Sequence, residues 1–442
     1  MTFITDSLSR ADVLLCLTAC IAFLIYWING SKKSTRNMPP GPTPLPLIGT
    51  LHVLDLNRPY KSLMELSEKY GEVFTIQFGP KKVVIIAGYK AVKDALITQA
   101  DDFGYRAEIP IMSLLTKGNG LLFSHGELWK SMRRFTLSAL RDFGMGKKTI
   151  EVKIQEELTP LIEDIKSHNG KPFDSTVILT SAVANVICSI IFGKRYEYDD
   201  QKFERLSRLM EENSKLAGAP SLFDSTKADT YFNEENLVYT VLDLFSGGTE
   251  TTSATLRWSL LLMAKYPEIQ KRVQEEIRTH IKLGQMPTAE NRRNMPYTDA
   301  VIHEVQRFAN ILPLNLSHAT ENDVYFRGYC IPKGTEVIPF LTSVLYDKSQ
   351  WETPYKFNPN HFLDANGKFH RPEAFMPFSA GRRACVGESL AKMELFLFFT
   401  GLLHAFTFHP PAGVSREDIS LEPDIGFVLV PKPHLICAKL NN

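Results

Sequence analysis

The chain has 442 residues, 44% of them hydrophobic and 22% charged, with a formal net charge of +1. That length exceeds the roughly 250–300 residues at which single cores stop growing, so several lobes or one large helical body around a cofactor is expected. The near-neutral charge gives no sign of nucleic-acid binding, and that class of partner is set aside. Six cysteines (Cys16, Cys20, Cys188, Cys330, Cys385 and Cys437) form no CxxC pair and no metal-finger spacing. They argue against a disulfide framework and fit a reducing compartment, where each is by default a small buried hydrophobe.

From Val13 to Ile28 the sequence VLLCLTACIAFLIYWI carries no charge and ends on Tyr26 and Trp27, which reads as an N-terminal membrane anchor over 1–30. A cleaved signal peptide is the rival. Asp6 and Asp12 ahead of the run and the lack of a small-residue cleavage site argue against it. Lys32, Lys33 and Arg36 follow, and the positive-inside bias keeps the rest of the chain on the cytoplasmic face. Residues 31–49 then form a basic and proline-rich hinge, and 50–442 the catalytic body.

In the body, the spacing predicts a helix over 60–70 and a β-hairpin from EVFTIQF and KVVIIA across Gly79-Pro80. Helices are predicted over 128–140, 149–165, 177–192, 200–216, 234–265, 267–281 and 297–308, and from Val386 to about His404. Short strands are predicted at 324–326, 336–339 and near the C-terminus (IGFVLV, HLICAK), so the fold class is mostly α with minor β. The stretch GAPSLFDSTKAD, 218–229, is small and polar and resembles a linker.

Cys385 lies in the run Phe378-Ser-Ala-Gly-Arg-Arg-Ala-Cys-Val-Gly387. Glycines permit turns there, the helix that begins after the cysteine aims N–H groups at its sulfur, and Arg382 and Arg383 add positive charge. A depressed thiol pKa is therefore expected, which suits a nucleophile or a metal ligand. A nucleophile needs a partner histidine, and His361 and His370 sit in no recognisable pattern.

The run resembles the F-x-x-G-x-R-x-C-x-G signature of the cytochrome P-450 superfamily, with Phe378, Gly381, Arg383, Cys385 and Gly387 at every fixed position. The resemblance implies a haem-thiolate fold, haem b as cofactor and Cys385 as axial ligand of its iron.

Gly247-Gly248-Thr249-Glu250-Thr251-Thr252 interrupts an apolar helix, where each glycine costs about 1 kcal/mol relative to alanine and a bend or close approach is expected. It resembles the family's oxygen-activation motif, which implies that Glu250 and Thr251 relay protons while the thiolate favours O–O cleavage. Glu304-Val-Gln-Arg307 is similar to the family's structural E-x-x-R pair. The downstream segment that normally adds an arginine reads Phe357-Asn-Pro359-Asn-His361-Phe362, with histidine at that position, as in microsomal family 2 members.

By position in the family pattern, Arg106, Trp129, Arg133, His318 and Arg383 would hold the haem propionates. The closest resemblance is to the vertebrate microsomal family 2 monooxygenases. It implies a protein of the endoplasmic reticulum membrane that uses O2 and NADPH-derived electrons, delivered by a flavoprotein reductase, with cytochrome b5 as a further candidate donor. Its substrates would be lipophilic small molecules: xenobiotics, fatty acids or steroids. Lys130, Arg134 and Arg382 are candidate contacts for an acidic reductase.

One stretch departs from the pattern: between about 218 and 234 some tens of residues are absent that in the family roof the distal pocket. A splice form or incomplete gene model is the expectation, one that keeps the haem site and loses part of its roof. A haem-binding but catalytically impaired variant is the main alternative, and a haem-thiolate isomerase of peroxides a second. The Glu250-Thr251 pair argues against the isomerase.

Overall fold

The computed structural model describes Thr18 and residues 37–145, 148–198, 200, 233–282 and 284–441. The anchor, the helix expected over 200–216 and the 218–229 linker lie outside the described residues, Thr18 and residue 200 apart. Among the described residues no helix is long and apolar enough to cross a membrane.

Helix α1 (Pro59–Tyr70) opens on a proline, whose missing N–H is free of cost in a first turn, and stops at Gly71 with φ 91°. Strands β1 (Val73–Phe78) and β2 (Lys81–Ile86) form the expected hairpin, in register from Val73↔Ile86 to Phe78↔Lys81. Short β3 (Tyr105–Arg106) and β4 (His318–Ala319) pair antiparallel, and β7 (Glu336–Pro339) joins them to the hairpin in the order β1-β2-β7-β4-β3. The β3–β4 register sets Arg106 opposite His318, two positions 212 residues apart in sequence. A separate hairpin joins β5 (Val324–Phe326) to β6 (Tyr329–Ile331).

Two segments lead from the sheet into the helical body. The first is α2 (Tyr89–Lys93), which runs straight into a π-turn over Asp94–Thr98. The second is α3 (Pro110–Thr116), whose last residue precedes a loop with Lys117, Gly118 and Gly120 at positive φ. The main helices follow: α4 (Gly126–Asp142), α5 (Lys148–Ser167), α6 (Thr176–Ile191), α7 (Glu234–Lys265), α8 (Pro267–His280) and α9 (Pro296–Ala309). After them come α10 (Leu341–Leu345) and α11 (Glu388–Ala405).

Helix α7, about 48 Å long at 1.5 Å per residue, is capped by Asn233, whose side chain accepts from the Asn236 N–H at 2.8 Å. Its C-terminal half is buried on nearly every face, with Leu256, Trp258, Leu260, Leu262 and Met263 inside the main apolar core. α5, α6, α8, α9 and α11 supply most of the rest of that core. The sheet has its own cores, one under each face.

The bend expected at Gly247-Gly248 is not a break: α7 runs unbroken from 234 to 265. Close approach is the reason at Gly248, where a Cβ would stand 2.8 Å from Ile187 Cδ1 of α6. The expected C-terminal strands are shorter than predicted. IGFVLV contributes only β10 (Val430–Pro431), paired with β9 (Pro423–Asp424), and HLICAK gives β11 (Cys437–Leu440), paired with β8 (Phe406–His409).

Candidate cofactor site

Cys385 sits between a short 3-10 turn over Gly381–Arg383 and the start of α11. Its N–H donates to the Phe378 carbonyl at 3.0 Å, which closes the loop on itself. The loop lies so close to the π-turn that a Cβ at Gly381, φ 70°, would fall 1.7 Å from the Leu96 carbonyl oxygen. Only glycine meets both demands.

The N–H groups of Gly387 and Glu388 reach the sulfur, as expected of a helix start. The net effect differs from expectation. Cys385 itself is exposed, and the protein packed behind its sulfur pushes the thiol above its usual range, against those two N–H groups and the Arg133 cation. Arg382 and Arg383 are not the cations responsible. Arg382 pairs with Asp101 at the surface, and Arg383 turns inward. The basic side chain at the loop is Arg133, whose Nη2 donates to the Ala384 carbonyl at 2.6 Å.

Three guanidinium groups converge here without a carboxylate among the described residues. Arg106 is 6% exposed; its Nε donates to the Leu122 carbonyl and its Nη1 to the Leu316 carbonyl, both at 3.0 Å. Arg383, equally buried, donates to the carbonyls of Gly104 (2.8 Å) and Ser124 (2.9 Å), and its Nη1 has no partner. Its guanidinium lies 3.8 Å from the Trp129 ring centroid, and that of Arg133 lies 5.6 Å from the same ring. Burial first, and then their mutual repulsion, hold the pKa values of Arg106 and Arg383 below the usual guanidinium range. Arginine does not release its proton in proteins, so the shift measures an uncompensated charge.

His318 is buried beside them. Its Nδ1 lies 2.6 Å from the Phe103 carbonyl, which assigns the proton to Nδ1, and its Nε2 has no partner. Burial, and then Arg106, push its pKa well below the usual histidine range. The orphaned Nη1 of Arg383 and three uncompensated cations are what a buried dianion requires, whereas Nε2 of His318 is an acceptor in this tautomer and donates to such an anion only once the ring takes up a proton. Haem, with two propionates, fits this donor set, and the sulfur of Cys385 fits its iron.

On α7, the Thr251 hydroxyl donates to the Gly247 carbonyl at 2.7 Å, and the Thr255 hydroxyl to the Thr251 carbonyl at 2.8 Å. Glu250 and Thr251 are both partly accessible, in contrast to Thr249 and Thr252, which face the core. One acid absent from the sequence reading is Glu394 on α11. It is 1% exposed against Thr252, and burial drives its pKa well above the carboxylate range.

The E-x-x-R pair is complete. Arg307 donates from Nε and Nη2 to Glu304 at 2.7 and 2.8 Å, and both side chains are fully buried. His361 is the third member, with Nδ1 3.2 Å from Glu304 Oε2 and Nε2 accepting from the Thr353 N–H. Histidine thus fills the usual arginine position as a neutral donor. Of the proposed docking residues, Lys130 pairs with Glu127 at 2.7 Å and Arg134 is exposed.

Known proteins resemble this chain along nearly its whole length. The Cytochrome P-450 family profile matches residues 39–224 and 220–438, two stretches that meet at 220–224. Cytochrome P-450 2K1 of Oncorhynchus mykiss is 46% identical, covering 99% of both chains. Cytochrome P-450 2F2 of Rattus norvegicus is 41% identical over 99% of this chain and 100% of its own. Cytochrome P-450 2C3 of Oryctolagus cuniculus is 42% identical, covering 96% and 98%. The alignment with 2K1 runs to 501 residues, more than the 442 of this chain, so that relative carries residues absent here. The chain belongs to the cytochrome P-450 family, within its family 2, and is a haem b monooxygenase that incorporates oxygen from O2.

Proposed function

We propose that the haem iron is ligated by Cys385 and the propionates held by Arg106, Trp129, Arg133, His318 and Arg383. The observation that carries this is the cluster of three guanidinium groups, those of Arg106 and Arg383 buried and that of Arg133 partly accessible, with no carboxylate among the described residues, beside the cysteine loop. Haem supplies the iron at which dioxygen is activated. The protein's part begins with charge: the arginines fix the acidic edge, and the Gly387 and Glu388 N–H groups stabilise negative charge on the sulfur. Cys385 would bind the iron as its thiolate, a form that a bound cation would favour.

Thr251 directs its hydroxyl proton to the Gly247 carbonyl, which leaves the lone pairs of Oγ1 turned outward to accept from water. With Glu250 one residue away, this pair is the proton route to the distal side. Substrates are lipophilic small molecules. Electrons come from NADPH through a flavoprotein reductase, with cytochrome b5 as a second donor, and the protein sits on the endoplasmic reticulum membrane by its 1–30 anchor, with the 31–49 hinge ahead of the 50–442 catalytic domain.

The test is the carbon monoxide difference spectrum of the reduced protein. The wild type gives a thiolate-type Soret band, and Cys385→Ser loses it while keeping its folded helical content. A wild type without that band refutes thiolate ligation. A second reading, a haem-binding form with impaired turnover, is favoured by the relatives' extra residues and the break in the profile match at 220–224. Oxidation of a lipophilic probe with reductase and NADPH decides: a normal thiolate band with NADPH consumption and no product supports it.

A further inference from the structure

The loop between α3 and α4 makes contacts in two directions. Lys117, Gly118 and Gly120 have φ of 50°, 76° and 85°, so no helix or strand orders this stretch, and its N–H groups need other partners. Helix α7 supplies them. Asn236 Oδ1 accepts from the Gly120 N–H at 2.8 Å, and Asp243 Oδ2 accepts from the N–H groups of Leu121 (2.6 Å) and Leu122 (3.0 Å). The approach is close: a Cβ on Gly120 would stand 2.4 Å from Asp243 Oδ2.

From its other side the same loop presents carbonyls to the arginines. Leu122 accepts from Arg106 Nε at 3.0 Å and Ser124 from Arg383 Nη2 at 2.9 Å, while the Ser124 hydroxyl ties back to the Gly120 carbonyl at 2.5 Å. Leu122 thus joins a carboxylate on α7 through its N–H to a guanidinium through its C=O. A shift of that residue moves Arg106.

We propose that Asp243 is a positioning residue for the cofactor, which clasps the 120–124 loop to α7 so that the Leu122 and Ser124 carbonyls aim Arg106 and Arg383 at the haem acids. The inference rests on the reading that these arginines hold haem. It assigns a role to a carboxylate that, among the described residues, has no cation partner and instead serves two backbone donors. Burial raises the pKa of Asp243 to about 6, and those two N–H groups oppose the rise.

The test uses the full-length haem-loaded protein as wild type, Asp243→Asn, Asp243→Ala and Gly120→Ala, with Leu242→Ala as the comparison on the solvent side of α7. Two quantities are read: hydrogen exchange of the amides at 120–122, and the rate of haem transfer to excess apomyoglobin. Asp243→Ala and Gly120→Ala are expected to raise both by roughly tenfold, Asp243→Asn by less because its amide oxygen still accepts, and Leu242→Ala neither. Faster exchange with unchanged haem release overturns the proposal. So does haem loss in Leu242→Ala equal to that in Asp243→Ala, because the effect is then one of general stability. Where the alanine variants do not fold, the near-isosteric Asp243→Asn decides alone. A wild type that takes up no haem overturns the haem reading, while the exchange data still decide whether the clasp exists.

Discussion

Glu304 accepts four hydrogen bonds, from Arg307 Nε and Nη2, the Asn358 N–H and His361 Nδ1. Removal of one neutral donor leaves three, whereas removal of Arg307 strands a buried carboxylate and also frees the carbonyls of Leu345, Pro354 and Lys356. The two changes differ in kind. His361→Ala is expected to cost about 1–3 kcal/mol and Arg307→Ala about 3–5 kcal/mol or the fold itself. Urea unfolding of the haem-loaded protein measures both. The surviving His361→Ala protein should keep a thiolate-type reduced carbon monoxide spectrum, because nothing in this triad touches the cysteine loop. Equal costs would mean that Arg307 contributes no more here than a neutral donor.

At the scale of elements, two glycines of similar appearance in sequence have opposite reasons to exist. Gly381 combines φ 70° with a Cβ position 1.7 Å from the Leu96 carbonyl, whereas a Cβ on Gly247 meets nothing within 4 Å. Gly381→Ala is therefore expected to separate the cysteine loop from the π-turn, with most of the bound haem lost. Gly247→Ala should stabilise α7 by roughly 1 kcal/mol. Haem content per folded protein and the thermal midpoint give the two signs. The long helices were legible because period and punctuation agree: α7 ends where Pro267 begins the next helix, and α1 ends at Gly71. Five-residue α2 and α10 and the π-turn were not, because one turn holds too few positions to show a period. Two-residue β3 and β4 exist only by virtue of each other, so no local pattern announces the Arg106–His318 juxtaposition. The motif resemblance put both residues in one site. The Asp243 clasp was invisible to it, since a lone aspartate on an amphipathic helix reads as a solvated face.

A net charge of +1 over the whole molecule conceals an interior that is not neutral. Arg106, Arg133 and Arg383 concentrate positive charge in one place, and burial and mutual repulsion oppose it there. The folded protein without an anion in that place carries this cost in full, and a dianion removes it, so haem acts as a folding ligand as well as a reagent. At a free concentration one hundred times its dissociation constant, such a ligand adds about 2.7 kcal/mol. The same electrostatics give Arg106→Leu opposite effects in the two states. Without haem, the variant loses one of three repelling cations and should melt at or above the wild type. With haem, it lacks one propionate donor and should melt below it, by the equivalent of about 1–3 kcal/mol. Thermal midpoints of both proteins, haem-free and haem-loaded, therefore cross. Parallel shifts would mean that Arg106 supports the loop carbonyls of Leu122 and Leu316 and does not serve the cofactor.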